Sequence, residues 1–408
     1  MLLPSRMPLP RFYRMLSACG TQLEKLGVPL TRMDAQSLYR AVERATGLSD
    51  FGDPYHREGL EVLLRSIDED ADLHFFGRFI TRMVLINYLT QRVLFVEAQK
   101  RSPDIFRAEL NAPFIVTGIP RSGTTFLHRM IAADPQNTGV PFWRLFRPFP
   151  TQAKKDSRQS TARFELKFRR PVYPEMDTKH FIREDQEEEC IWMSGLTFHS
   201  IVFWVIAPVA SYAEWLFDQD RTKYYQEYSL LLRAQQQYAP TRHLVLKAPD
   251  HTPNVGAILS VIPNARIIQM HRDPTACVTS LSSLFYSTHR SVSNDLNPQR
   301  LGEINKQMFT YYLKVNRDVR ARLGENGSIV DVDYTQLVKN PIETVKSIYA
   351  HFAVPWSDAY EERLQSFVNR QPKDKYGKHH YTPEQFGQSS RELDEHFAAL
   401  MSNGFSGD

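Results

Sequence analysis

The stretch from Phe114 to Thr125, Phe-Ile-Val-Thr-Gly-Ile-Pro-Arg-Ser-Gly-Thr-Thr, constrains the fold of this chain more than any other. Residues 114–117 form a short apolar, partly β-branched run that reads as a buried strand. A glycine-rich turn follows. From Thr124 to Ala133 the pattern is helical, with Phe126, Leu127, Met130 and Ile131 on one face. Backbone N–H groups at a helix start have no internal partner, and the helix dipole is positive there, so this junction is an anion site. Gly118 and Gly123, with Pro120 between them, allow the backbone to bend tightly around a phosphate. Ser122, Thr124 and Thr125 add hydroxyl donors, and Arg121 adds a charged fork suited to phosphate or sulfonate oxygens. The spacing is that of a Walker A loop, but Thr124 stands where the lysine of that loop belongs. The missing lysine argues against an ordinary nucleotide triphosphatase or kinase.

Three further strands are expected at residues 243–246, 265–270 and 328–332. Helices follow the last two, from Pro274 to about Phe285 and from Pro341 to Phe352. Strands alternating with helices predict an α/β fold, a parallel sheet flanked by helices, with ligands beyond the carboxyl ends of the strands. Residues 1 to about 110 read as an N-terminal helical lobe, with helices expected over 55–67 and 72–100. Residues 111–408 read as the main domain, carrying an insertion around 151–240. That insertion holds the acidic run Glu184 to Glu189 and a cluster of aromatic residues.

With 408 residues the chain suits one large domain with insertions, or two domains. Its 50 basic and 46 acidic residues are too balanced to argue for a nucleic-acid partner. The three scattered cysteines, Cys19, Cys190 and Cys277, fit neither a disulfide framework nor a metal site and point to a reducing, cytoplasmic setting. The N-terminus lacks an apolar core long enough for a secretory signal, and the run at 201–210 falls short of the ~20 residues that span a bilayer. No membrane partner is therefore expected.

Two other segments complete a pattern. Arg266 to Met270 is followed by His271-Arg272-Asp273-Pro274, with Ser280 two helical turns past Asp273, so Arg272 and Ser280 can grip one phosphate together. Asp273 is a natural N-cap and Pro274 suits the first helical position. Between the two anion motifs lies Leu246-Lys247-Ala248-Pro249-Asp250-His251. Together these motifs resemble the sulfotransferases that use 3′-phosphoadenosine 5′-phosphosulfate (PAPS), closest to a bacterial-type branch related to the tyrosylprotein sulfotransferases. The resemblance implies a P-loop-like fold and a 5′-phosphosulfate loop at Pro120, Arg121, Ser122, Gly123, Thr124 and Thr125. It also implies a 3′-phosphate site at Arg272 and Ser280, and a catalytic Lys247. Lys378 lies where relatives carry a basic loop closing over the 3′-phosphate.

The implied reaction is in-line attack by an acceptor hydroxyl on the sulfur of PAPS. Adenosine 3′,5′-bisphosphate (PAP) leaves, and no metal takes part. Some relatives place a glutamate base after the first helix, but residues 140–144 here carry no acid. His251 and Glu188 are the candidate bases. Met176 and the aromatic residues Phe181, Trp192, Phe198, Phe203, Trp204, Trp215 and Phe217 suggest an acceptor with an apolar or aromatic part. Two rivals stay open: a nucleotide-binding module without catalysis, and an atypical ATP-dependent kinase.

Overall fold

A computed structural model of the chain describes residues 3–151, 155–370 and 381–402. Lys378 lies outside them.

Five strands form one sheet: β1 (Phe114–Gly118), β2 (Asn137–Gly139), β3 (His243–Lys247), β4 (Arg266–His271) and β5 (Ile329–Asp333). Their order is β2-β3-β1-β4-β5 and every neighbouring pair is parallel. Four of the five match the expected strands. The fifth, β2, is three residues without an apolar run, so no periodicity announces it; only its pairing with β3 makes it a strand. β1 is central and buried along its whole length, as its continuous apolar run requires.

Alternate strand residues divide between two cores, following the two-residue period of a strand. Ile115, Leu244, Leu246 and Ile267 face one cluster, which runs from Met33 to Phe397 and takes in the N-terminal helices. Phe114, Val116, Val245, Ile268 and Met270 face a second, capped by Leu127, Met130 and Ile131 of the helix Thr124–Ala132 and by Val345 and Ile348 of the helix Pro341–His351.

The expected N-terminal helices are present as Tyr55–Glu69 and Phe75–Arg101. The second is long and apolar enough to cross a bilayer, unlike the shorter run at residues 201–210. However, 72% of its apolar window is buried inside the protein. It is a core helix. Arg92, buried on it, holds Glu227 of the helix Thr222–Gln236 through two hydrogen bonds of 2.9 and 3.1 Å. Removing one partner of such a buried pair costs about 3–5 kcal/mol, because the other charge is stranded.

Because all strands run the same way, Gly118, Gly139, Lys247, His271 and Asp333 end on one edge of the sheet. The site is built along that edge.

Candidate functional site

The turn after β1 needs both of its glycines. Gly118 has φ +139° and Gly123 has φ +92°. A Cβ on Gly118 would stand 2.6 Å from the Met270 carbonyl oxygen, and one on Gly123 would stand 2.8 Å from the Tyr334 ring. Arg121 also lies in the left-handed region, at φ +70°, which costs a non-glycine residue about 1–2 kcal/mol. The compensation is visible in its contacts. Arg121 Nε donates to Ser280 Oγ at 3.1 Å, and Arg272 Nη1 donates to the Arg121 carbonyl at 2.7 Å. The two anion motifs read from the sequence, more than 150 residues apart, are therefore hydrogen-bonded to each other.

Surrounding residues fix this arrangement. The Thr252 hydroxyl accepts the Gly118 N–H at 3.0 Å and lies 2.9 Å from Thr117 Oγ1, anchoring the end of β1. Asp273 caps the helix Pro274–His289 by accepting the N–H groups of Thr275 and Ala276, and that helix carries Ser280. The Arg272 guanidinium lies over the Tyr334 ring, 4.0 Å from its centroid. Tyr334, the first residue after β5, also packs on Gly123. It is a site residue that sequence reasoning missed, since nothing local marks it as more than a structural aromatic.

Pro120, Arg121, Gly123, Thr124, Thr125, Arg272, Ser280 and Tyr334 line one cleft of about 1560 Å³. Ser122 sits just beneath the lining. Its hydroxyl is buried without a hydrogen-bond partner among the described residues. Burial lowers the Arg121 pKa, against smaller opposing contributions from Tyr381, Cys277 and Glu189; the Arg272 cation adds the smallest part. Two adjacent guanidiniums and the N–H groups at a helix start form a cradle for a multiply charged anion. A phosphate or phosphosulfate group fits it.

Lys247 ends β3 with its side chain almost fully buried, and Nζ donates to Glu189 Oε1 at 2.6 Å. Glu189 lines the cleft, so the lysine stands behind it with its charge engaged. The acidic run is a loop that precedes the short helix Ile191–Ser194. Phe142 N–H donates to the Gln186 carbonyl at 2.8 Å, and Trp143 N–H donates to the Glu184 carbonyl at 3.0 Å. The segment is thus strapped against the chain leaving β2, and a Cβ on Gly139 would collide with Glu187. This places Glu188 on the cleft wall, buried. It accepts from the Glu189 N–H at 3.0 Å, and its Oε1 lies 3.1 Å from Nε2 of His180. Burial pushes the Glu188 carboxyl up, but His180 and then Lys247 outweigh that, and its pKa falls well below the usual carboxylate range. His180 lines the cleft as well. It too was missed: eight residues from Glu188 along a loop, the two meet only through the strap on residues 140–143.

The structure does not place His251 where a base was expected. It is fully buried and off the cleft wall. Nδ1 lies 3.0 Å from the Tyr225 hydroxyl, and Nε2 lies 3.1 Å from Cys190 Sγ and 3.3 Å from the Tyr228 hydroxyl. Burial, with Arg221 adding to it, pushes its pKa down to about 4. The loop after β3 coils at once into the 3-10 turn Pro249–Asn254, which turns His251 inward, while Pro249 and Asp250 line the cleft.

The aromatic cluster divides in the same way. Met176, Phe181 and Trp192 line the cleft, Phe198, Phe203 and Trp204 are core, and Trp215 and Phe217 lie outside the lining. Other apolar walls come from elsewhere: Ile80, Val84, Phe142, Tyr173, Leu284 and Met308. The cleft thus combines cations and N–H groups from the strand-end motifs with apolar walls from other elements, and His180, Glu188 and Glu189 line it too.

Residues 113–358 match the model of a sulfotransferase family, well over half of the chain. Among curated proteins, the omega-hydroxy-beta-dihydromenaquinone-9 sulfotransferase Stf3 of Mycobacterium bovis is 24% identical over 300 residues, covering 71% of this chain and 74% of that protein. Two solved structures superpose closely. Sulfotransferase STF1 of Mycobacterium tuberculosis H37Rv has a TM-score of 0.78 at 27% identity, over 90% of this chain and 98% of that one. Sulfotransferase STF9 of Mycobacterium avium has a TM-score of 0.80 at 24% identity, over 91% and 97%. With the α/β sheet, the anion cradle and the family match in agreement, the chain belongs to the sulfotransferase family.

Proposed function

We propose that the chain transfers a sulfuryl group from PAPS to a hydroxyl of a lipophilic acceptor. The observation that carries this reading is the direct link between the two anion motifs, Arg121 to Ser280 and Arg272 to Arg121. A donor with one phosphate at each end of a nucleoside needs two cradles held at fixed separation. PAPS supplies an activated sulfuryl group, and PAP is what remains of it after transfer. Thr124, Thr125 and the N–H groups of the turn hold the 5′ end; Arg272 and Ser280 hold the 3′-phosphate. Arg121, bonded to Ser280, serves both.

Lys247 is assigned to the charge that develops on the leaving phosphate, which requires its ammonium to exchange Glu189 for the bound donor. A cation held beside such charge stabilises it. In the absence of donor, Glu189 neutralises the ammonium. His180 takes the acceptor hydroxyl proton, and Glu188 is its positioning residue. The low Glu188 pKa keeps that carboxylate ionised to orient the ring and to stabilise the imidazolium that forms. The apolar walls of the cleft receive the body of the acceptor. The Stf3 relative is named for action on an omega-hydroxy-beta-dihydromenaquinone-9, and an apolar channel beside a proton acceptor suits a hydroxyl on a greasy chain.

Titration calorimetry with PAP, PAPS and ATP tests the donor assignment. PAP and PAPS are expected to bind, and ATP, which lacks a 3′-phosphate, much more weakly. ATP binding as tight as PAP would overturn it.

A further inference from the structure

We infer that the helix Arg11–Lys25 and the neighbouring helix Arg158–Arg169 form a docking face for a bilayer carrying anionic lipid, through which the lipophilic acceptor reaches the cleft. The inference rests on the lipophilic-acceptor reading above. It starts from an apolar surface that no described residue covers. Phe12, Met15, Leu23 and Leu26 stand 51%, 58%, 44% and 80% exposed, and together with exposed Cys19 they recur at helical spacings of three and four. The helix is anchored by a different face. Tyr13 and Gly20 are buried, and a Cβ on Gly20 would run into the Phe75 ring. A second apolar stripe therefore points to solvent.

This stripe is continuous with the cleft. Phe12 packs on Tyr13 (centroids 5.3 Å apart), Tyr13 on Phe168 (5.6 Å), and Phe168 on Phe164 (6.1 Å), which is itself 67% exposed. The Tyr13 hydroxyl donates to the Phe168 carbonyl at 2.6 Å, tying the two helices together. Leu166, Lys167 and Arg169 of the same Arg158–Arg169 helix line the cleft. One face of that helix borders the acceptor channel while Phe164 extends into solvent beside the stripe.

Charge identifies the occupant. Arg6, Arg11, Arg14, Lys25, Lys167 and Arg169 make no ion pair with a described residue, and Glu24 and Glu165 are turned to Thr31 and Arg147. Exposed apolar side chains rimmed by unpaired cations are the pattern of a helix lying in a membrane interface. A second copy fits poorly, because a two-fold interface would set the same cations against one another. Docking of this kind needs no spanning segment.

The test is cosedimentation of the full chain with vesicles of phosphatidylcholine plus phosphatidylglycerol, and with phosphatidylcholine alone. Binding to the anionic vesicles is expected to be stronger by roughly an order of magnitude or more, and to weaken with added salt. Phe12→Ser with Met15→Ser and Phe164→Ser, and separately Arg11→Glu with Arg14→Glu, are expected to abolish pelleting with PAP affinity unchanged. Cys19 is exposed while Cys190 and Cys277 are buried, so an environment-sensitive thiol dye placed on Cys19 should shift to the blue when anionic vesicles are added. Equal binding to both vesicle types, or none, overturns the inference. So does a wild-type dimer in sedimentation velocity that the stripe variants convert to monomer. Vesicle binding without PAP binding would instead sink the donor assignment and leave the docking face standing.

Discussion

The two parts of the cleft lining are built on different principles. In the anion-binding part, the contacting groups come from two stretches, 118–125 and 272–280, each placed by a strand end and the start of the next helix. In the apolar part, Ile80, Phe142, Tyr173, Trp192, Leu284 and Met308 converge from six separate parts of the chain. Anion recognition by backbone N–H groups depends on local geometry, which a short motif encodes. An apolar channel depends only on which surfaces the fold leaves facing one another. The pair His180 and Glu188, proposed to handle the proton, shares the second character, since a strap between distant segments holds its loop in place.

The largest effects should come from that pair. His180→Gln is expected to lower kcat/KM by roughly 10²–10⁴, the usual contribution of a general base, with PAP affinity unchanged. It should also remove the acid limb of the pH–rate profile. Glu188→Gln should lower kcat and alter that same limb, since it leaves the ring unoriented. If neither variant moves the profile, the pair holds no base and the comparison of the two parts loses its middle term.

Lys247→Ala is expected to lower kcat by roughly 10²–10³, the scale of losing one preplaced stabilising group, with PAP affinity within several-fold. Glu189→Gln tests the same pair from the other side: freed of its partner, Lys247 should bind PAP more tightly. A Lys247→Ala enzyme that turns over normally would remove the lysine from the chemistry.

In the anion-binding part, Arg121→Ala and Arg272→Ala should each weaken PAP by roughly 10- to 150-fold, as for a hydrogen bond to a charged group. Because Arg121 bonds Ser280 and its carbonyl accepts from Arg272, the double variant should lose less than the product of the two single losses. Strict additivity, measured by calorimetry, would show two independent cradles.

These particulars explain what the sequence could carry. The loop at 118–125, Arg272, Asp273 and Ser280 were readable because each is a local device: a positive-φ glycine, a helix cap, a two-turn spacing. Four strands were readable from their apolar runs, whereas β2 was not, because Asn-Thr-Gly has no such run and exists as a strand only beside β3. His251 misled for the opposite reason. Its position after β3 suggested the cleft, yet the 3-10 turn at Pro249–Asn254 directs it into a pocket of Tyr225, Tyr228 and Cys190. His180 gave no local signal at all.

That buried histidine has a measurable consequence for stability. Its folded pKa, about 4, lies below its ordinary 6.5, so the unfolded chain takes up the proton first as pH falls. Stability from this group is therefore complete above about pH 6.5, is lost between there and about pH 4, and changes no further below. By pH 5 the loss is on the order of 2 kcal/mol. His128 and His289, pushed down to about 3 by burial, act in the same direction. Melting temperature should drop steeply across this window, and His251→Gln should flatten part of the slope. An unchanged slope would mean that His251 is not sealed from water.

The smallest expected effect belongs to Tyr334, and it asks how far the anion-binding part depends on its support. The ring meets both motifs at once: its edge fills the space a Cβ on Gly123 would need, and its face lies under the Arg272 guanidinium. An arginine stacked on a partly exposed ring gains about 0.5–1 kcal/mol, so Tyr334→Leu should weaken PAP only about two- to fivefold. Tyr334→Phe should be close to wild type, because the contact is through the ring and its hydroxyl makes no hydrogen bond with a described residue. If Tyr334→Leu costs as much as Arg272→Ala, then the aromatic shelf, rather than the local strand-end geometry, sets the arginine in place. The anion-binding part would then be assembled from distant segments after all, as the apolar part is.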